Sequence, residues 1–437
     1  MKYSQFNSVI PYQDKYALYN SFDNKVIFLE HDLKELLLAG KNENIDELEQ
    51  IHPAFYKYLS ENNFLVKNEI DEVEKVRKVS KKVDENNSFF HLTINPTMNC
   101  NFKCWYCYED HIKASRLKNQ MVERVNKFIT KKLQDENLKH FTLAFFGGEP
   151  LLYFKRNVIP IIEHLKKESE VYDKTYNISF TTNGYLINQE FVDFFHDNDL
   201  SCNLQITLDG YREEHDKIRY VSKTKGSYFE IVDNIKLLIK NEFFVRLRIN
   251  YTNENLENTF KIIDDFADVD MKNIENNLLI DYHRVWQNDQ VDDLDLVLNR
   301  NMEIITSKGF KVTGSFSANN VLDSCYADKR NSAVINYNGD LYKCTARDFK
   351  KESRNGYIDV EGNLIWDDGY EEKRMNSKFN NKPCLSCRLM PVCNGGCTQH
   401  AIENLENDEG YCVYSFDDVQ KDKVIYAKVR DILEAAV

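Results

Sequence analysis

The sequence lacks an excess of positive charge: 57 Lys and Arg stand against 70 Asp and Glu, for a formal net charge of -13. Binding to nucleic acid generally needs basic surface to replace the counterions of the phosphates, so no nucleic-acid partner is expected. It also lacks any apolar run near the roughly 18 residues that a membrane span requires, so no membrane partner is expected either. The start, MKYSQFNSVIPYQDKY, has no basic stretch leading into an apolar core and does not read as a secretory signal. A cytoplasmic protein is the expectation, and there thiols stay reduced. The 11 cysteines therefore point to metal rather than to disulfides, and their odd number suits complete pairing poorly.

What is present suffices for packed cores, since 42% of residues are hydrophobic and 13% aromatic. At 437 residues the chain exceeds one ordinary core, and two or three domains are expected. The segment QDKYALYNSFDNKVIFLE, residues 13–30, reads as two short strands around an Asp-Asn turn. HDLKELLLAG and HPAFYKYLSENNF have helical periodicity, with Gly40 and Asn62-Asn63 as stops. These elements make a module over residues 1–68. The charged KNEIDEVEKVRKVSKKVDENN then reads as a solvated helix or linker over 69–88.

From Phe89 onward the runs FFHLTINP, HFTLAFFGG, YNISFTTN, CNLQITLDG, FVRLRINY and NLLIDYHRVW alternate with helical stretches. Continuous apolar strands separated by crossover helices predict a parallel sheet covered by helices. Six such units give an α/β partial barrel over 89–316, with chemistry at the C-terminal strand ends. Beyond Phe316 cysteines crowd in, which predicts a loop-rich, metal-held domain over 317–415 and then a terminal helix over 416–437.

INPTMNCNFKCWYCYED places Cys100, Cys104 and Cys107 at CxxxCxxC spacing directly after the first run, with no fourth thiol beside them. A structural zinc knot usually closes with four ligands, whereas a 4Fe-4S cluster held by three thiolates keeps one iron open. With the aromatic Tyr106 before the last cysteine, the motif resembles the radical S-adenosylmethionine (SAM) superfamily. The resemblance implies a cluster on these three thiolates that chelates the amino and carboxylate groups of SAM. An electron from an external donor such as flavodoxin or ferredoxin then generates a 5'-deoxyadenosyl radical. The resemblance also implies that FFGGEP (Gly147, Gly148, Glu149, Pro150) meets the SAM amino group. TTNG (Thr181, Thr182, Asn183, Gly184) would contact its ribose or carboxylate, and Arg219 of TLDGYREEHDKIR would pair with the carboxylate. Alone, GGEP and Asn183-Gly184 are turn signals, His215 and Asp216 a surface or helix-capping pair, and Cys202 a small core hydrophobe. Their joint occurrence on successive strand ends carries the reading.

Downstream, Cys325 is followed by Gly339 five residues before Cys344, then by Cys384, Cys387, Cys393, Cys397 and Cys412. This series resembles the SPASM domain. The resemblance implies one auxiliary 4Fe-4S cluster on Cys384, Cys387, Cys393 and Cys412. It implies a second on Cys325, Cys344 and Cys397, with Asp323, water or a substrate thiol completing it. Spacing by itself leaves a zinc ribbon open. The N-terminal module resembles the winged-helix element that captures leader peptides by strand addition, the alternative being a domain that merely packs on the barrel. These resemblances imply an oxidoreductase that installs a crosslink, thioether favoured, in a ribosomally made precursor peptide whose leader docks near residues 15 to 65. Carbon-carbon and carbon-oxygen bonds stay open. The alternative is an anaerobic sulfatase-maturing dehydrogenase that forms formylglycine. Such enzymes carry an aspartate directly after the cysteine of the Gly-x4-Cys unit; here Thr345 follows Cys344, and Asp348 is the nearby candidate base. A scaffold or simple electron carrier would need none of GGEP, TTNG and Arg219.

Overall fold

Alternating side chains of one short strand organise the first of two units in the computed structural model, which describes residues 1–222, 224–287, 294–314, 320–405 and 410–434. That unit comprises residues 1–86, 316–330 and 369–437. β1 (Asn7–Tyr12), β2 (Lys15–Asn20) and β3 (Lys25–Leu29) form an antiparallel sheet in that order. The Asp-Asn turn between β2 and β3 is present, with Asn24 in the left-handed region at φ 52°. Leu18 of β2 packs with Leu37, Phe55 and Leu59 from helices His31–Asn42 and Pro53–Glu61. Its neighbours Ala17 and Tyr19 point the other way and pack with Val424, Ile425 and Val429 of the C-terminal helix Asp418–Glu434. Period-two alternation thus buries both faces of the sheet. The expected stop at Gly40 is passed by two residues, whereas Asn62 and Asn63 do end the second helix. The expected linker contains a helix, Glu72–Asp84, capped by the Asp71 carboxylate, which accepts from the Glu74 N–H at 2.9 Å. At its far end the buried Lys378 pairs with Asp84 at 2.8 Å and Asp328 at 2.9 Å, joining three separate stretches of this unit.

The second unit comprises residues 87–315 and 331–368. All six expected runs are strands: β4 (Phe89–Ile94), β5 (His140–Phe145), β6 (Thr175–Thr182), β7 (Asn203–Leu208), β8 (Phe244–Tyr251) and β9 (Leu278–Arg284). They are parallel and adjacent in chain order. Helices Asn119–Leu133, Ile159–Val171, Gln189–Asp197 and Tyr228–Lys240 cross between them. A further parallel strand, β10 (Lys311–Gly314), lies beyond β9. On the other side β11 (Ser332–Ile335) runs parallel to β4, followed by antiparallel β12 (Asp340–Tyr342), β13 (Gly356–Ile358) and β14 (Leu364–Trp366). Residues 331–368, expected in the cysteine-rich domain, therefore extend this sheet. The expected boundary at Phe316 lies outside the described residues.

Within the strands, Leu204 and Ile206 of β7 and Val245, Leu247 and Ile249 of β8 are buried in one core. The alternate positions Gln205 and Thr207, and Arg246, Arg248 and Asn250, lie on the opposite face. Thr207, Arg248 and Asp281 share one level of the register, and Asn250 and His283 another. Among the described residues no helix is long and apolar enough to cross a membrane.

Candidate active site at the strand ends

The loop after β4 is tied back on itself before it presents its thiols. Thr97 Oγ1 donates to the Ser115 carbonyl at 2.6 Å, and the Ile112 N–H donates to the Met98 carbonyl at 3.1 Å. Phe102, buried between Cys100 and Cys104, anchors the loop in the core. The loop after β5 packs directly upon it. Gly147 has φ 87°, and a Cβ at Gly148 would lie 2.2 Å from the Asn99 carbonyl oxygen, so only glycine permits this approach.

Glu149 joins three loops. Its own N–H donates to the Asn99 carbonyl at 2.8 Å, while its carboxylate accepts from Leu151 N at 3.0 Å, Thr182 Oγ1 at 2.8 Å and Asn183 N at 2.8 Å. Burial raises its pKa and the three donors oppose that rise. The carboxylate is fully buried, and Pro150 opens the turn that follows it. Asn183 continues the interlock, its Nδ2 donating to Asn101 Oδ1 at 2.7 Å and lying 3.8 Å from Cys100 Sγ.

A cavity open to solvent lies at these strand ends. Cys100, Cys104, Tyr106, Cys107, Gly147, Gly148, Thr182, Asn183 and Arg219, all anticipated from sequence, line it; Glu149 and Pro150 are buried and not part of its lining. Gln205, Thr207, Arg248 and Asn250 line it too, and sequence reasoning missed them. Their signal was a polar residue at every second position of otherwise apolar strands.

Arg219 is held by a buried network. Its Nε pairs with Asp209, which is fully buried, and its Nη2 donates to Tyr106 Oη at 2.8 Å. The Tyr106 hydroxyl donates to Asp209 and accepts from Asn250 Nδ2 at 2.9 Å. Burial opposes the Arg219 charge, but Asp209, with Cys104 and Tyr106, outweighs it and keeps the guanidinium firmly protonated. His215, expected with Asp216 to form a surface or helix-capping pair, is fully buried. Its Nδ1 accepts from the Asp209 N–H at 3.1 Å, so the neutral ring carries its proton on Nε2, which faces Ser227 Oγ at 3.0 Å. Burial pushes its pKa down to about 3. Asp216 does cap a helix, accepting from Ser227 N at 2.7 Å and Tyr228 N at 3.0 Å. Cys202 is a core residue, as expected.

The remaining candidates divide between the units. Cys344 belongs to the sheet unit, where the next carbonyl, of Thr345, accepts from Tyr108 Oη at 2.8 Å. Asp348 lies four residues on, pairs with Lys350 at 3.0 Å and does not line the cavity. Cys325, Cys384, Cys387, Cys393, Cys397 and Cys412 belong to the other unit. Within it Cys384 and Cys393 each feel Cys387 and Cys412 as electrostatic neighbours; burial, their largest influence, raises Cys393 to about 12 and Cys384 to a lesser degree.

Residues 94–280 match the family model of the Radical SAM superfamily. A cysteine-type anaerobic sulfatase-maturating enzyme of Clostridium novyi is 27% identical over 349 residues, covering 72% of this chain and 90% of that one. The solved structure of native anSMEcpe with bound AdoMet superposes with a TM-score of 0.58 at 16% identity, over 79% of this chain and 98% of that chain. Streptococcus suis SuiB bound to precursor peptide SuiA gives a TM-score of 0.50 at 17% identity, over 93% and 97%. Both likenesses are of fold.

The family implies SAM and a 4Fe-4S cluster, and the donors present fit them. The three thiols share one cavity with glycine backbone and polar strand ends, although among the described residues no three His, Cys, Asp or Glu side chains are gathered closely enough to hold a metal ion. Burial raises Cys100 to about 12, with Glu149 adding to it, and Cys107 to about 11, and it raises Cys104 as well. Such thiols are protonated near neutral pH, so loading a metal on them is coupled to proton release. Three thiols on a glycine-packed loop, at the polar end of a parallel sheet, identify residues 94–280 as a radical SAM domain.

Proposed function

We propose that the chain is a radical SAM enzyme that modifies a peptide or protein, and specifically that it installs a crosslink, thioether favoured, in a ribosomally made precursor peptide. The observation that carries this is the single cavity joining the CxxxCxxC thiols to the polar ends of four strands. The bound cluster and SAM supply hydrogen abstraction from an unactivated carbon. The chain's part is to hold and orient. Cys100, Cys104 and Cys107 carry the cluster, Gly147 and Gly148 bring backbone close, Thr182, Asn183 and Arg219 face the ligand, and Glu149 braces the loops.

Support for the finer reading comes from the flanks. The small antiparallel sheet with its helices is a platform of the winged-helix kind to which a leader can add as a strand, and the fold likeness to SuiB extends over 93% of the chain. We assign Cys384, Cys387, Cys393 and Cys412 to one auxiliary cluster and Cys325, Cys344 and Cys397 to another, in a SPASM-like region, with an external flavodoxin or ferredoxin as electron donor. The second reading, sulfatase maturation, is favoured by the Clostridium novyi relative. Against it, Thr345 stands directly after Cys344, and Asp348 is bound to Lys350.

Anaerobic reconstitution should load about twelve irons if three 4Fe-4S clusters form, and reduction should convert SAM to 5'-deoxyadenosine. Incubation with a cysteine-containing precursor peptide that the enzyme accepts should give a product lighter by two hydrogens, in which one cysteine thiol no longer reacts with an alkylating agent. An aldehyde on a sulfatase-derived peptide supports the second reading; zinc and no SAM cleavage overturn both.

A further inference from the structure

Three arginines, Arg219, Arg248 and Arg284, line the cavity, and the first two stand in different electrostatic states. Arg219 has its counter-ion built in: Nε pairs with Asp209, and Nη2 is bound by Tyr106. Arg248, on β8, also lines the cavity, and its Nε donates to Asn250 Oδ1 at 2.8 Å. Among the described residues no carboxylate pairs with it. The nearest acidic position in its register, Asp281, is already taken by Arg246 at 3.3 Å and His283 at 2.9 Å. A half-buried cation without an anion is unfavourable until one arrives. Burial depresses the Arg248 pKa, which Tyr106, Tyr108 and Asp281 only partly offset. The planar guanidinium fork matches a carboxylate in two-point fashion.

We propose that Arg248 is the carboxylate-binding residue of this cavity, its free guanidinium edge receiving a carboxylate of the ligand seated there. The proposal rests on the cavity's proposed role as a SAM and peptide site. Two sources present that chemistry, the amino-acid end of SAM and an acidic side chain of the peptide substrate.

The test compares anaerobically reconstituted full-length protein with its R248Q and R248K variants, with thermal unfolding as the check that each folds. Equilibrium binding is measured for SAM and for decarboxylated SAM. With SAM present, it is then measured for the blocked tripeptides acetyl-Ala-Glu-Ala-amide and acetyl-Ala-Gln-Ala-amide. If SAM supplies the carboxylate, R248Q weakens SAM at least about tenfold and leaves decarboxylated SAM within about twofold. If the substrate supplies it, the glutamate tripeptide alone loses affinity to that extent. R248K, a point charge without the fork, retains part of either effect. Unchanged binding of both acids in R248Q overturns the proposal, as does equal weakening of each acid and its neutral analogue, which marks a purely structural arginine. Wild-type protein that binds no SAM refutes the functional reading instead, and the tripeptides measured without SAM then decide Arg248 alone.

Discussion

The thiols after β4 and those near the C-terminus sit in opposite kinds of local structure. The first loop leaves a six-residue strand inside an eleven-stranded sheet and is fastened by Thr97, Ser115, Glu149 and Asn183 before any cofactor is considered. The later cysteines are strung along helices of four residues, Lys382–Leu385 and Met390–Cys393, and a run in which Asn394, Gly395 and Gly396 are all left-handed. Leu389 and Val392 lend that segment to the core of the small sheet and the C-terminal helix. A sheet can fasten a loop without its metal; short turns with little core of their own take much of their order from what the thiolates bind.

The largest effect expected from this contrast follows removal of Cys100, Cys104 and Cys107 together by alanine. SAM cleavage should be abolished and iron should fall by about one third, while the melting temperature barely moves. A large drop in melting temperature would show that the first loop, too, depends on its metal. Next, Asp209→Asn leaves Arg219 buried without its anion, which should destabilise the sheet unit by about 3–5 kcal/mol, read by urea unfolding. The same change should weaken SAM binding. Cys393→Ala should lower the thermal midpoint by about 4 °C or more with SAM cleavage retained, and hydrogen exchange should rise in residues 384–405 but not in β4 to β9. The smallest effect concerns pH. His215 is held neutral down to about pH 3, chiefly by burial, against an ordinary value near 6.5. The unfolded chain binds the extra proton, so stability falls as pH drops from about 6.5 towards 3, by at most about 1.4 kcal/mol per pH unit. His215→Gln should flatten that slope in urea melts at pH 5, 6 and 7.5.

Much of this was legible in one dimension, for reasons that differ by element. The six runs from FFHLTINP to NLLIDYHRVW are strands because strands covered by crossover helices are apolar enough to stand out. β1 went unseen because Pro11 argues against a strand, and it is tolerated there because β1 is an edge. β11 to β14 are three or four residues long and were masked by nearby cysteines. His215 reads with Asp216 as a surface or helix-capping pair because a lone histidine in a charged hexapeptide carries no sign that its ring will support the Asp209 backbone.

The sequence by itself determined the spacing of the three thiols, the glycines behind them and the order of strands and helices, since covalent spacing and side-chain periodicity are local properties. Tertiary structure alone decided that Asp209, Tyr106, Asn250 and Arg219 share one network and that Arg248 stands beside it with no anion among the described residues. Those residues come from separate strands and loops, and only the register of a parallel sheet brings such distant positions to the same level.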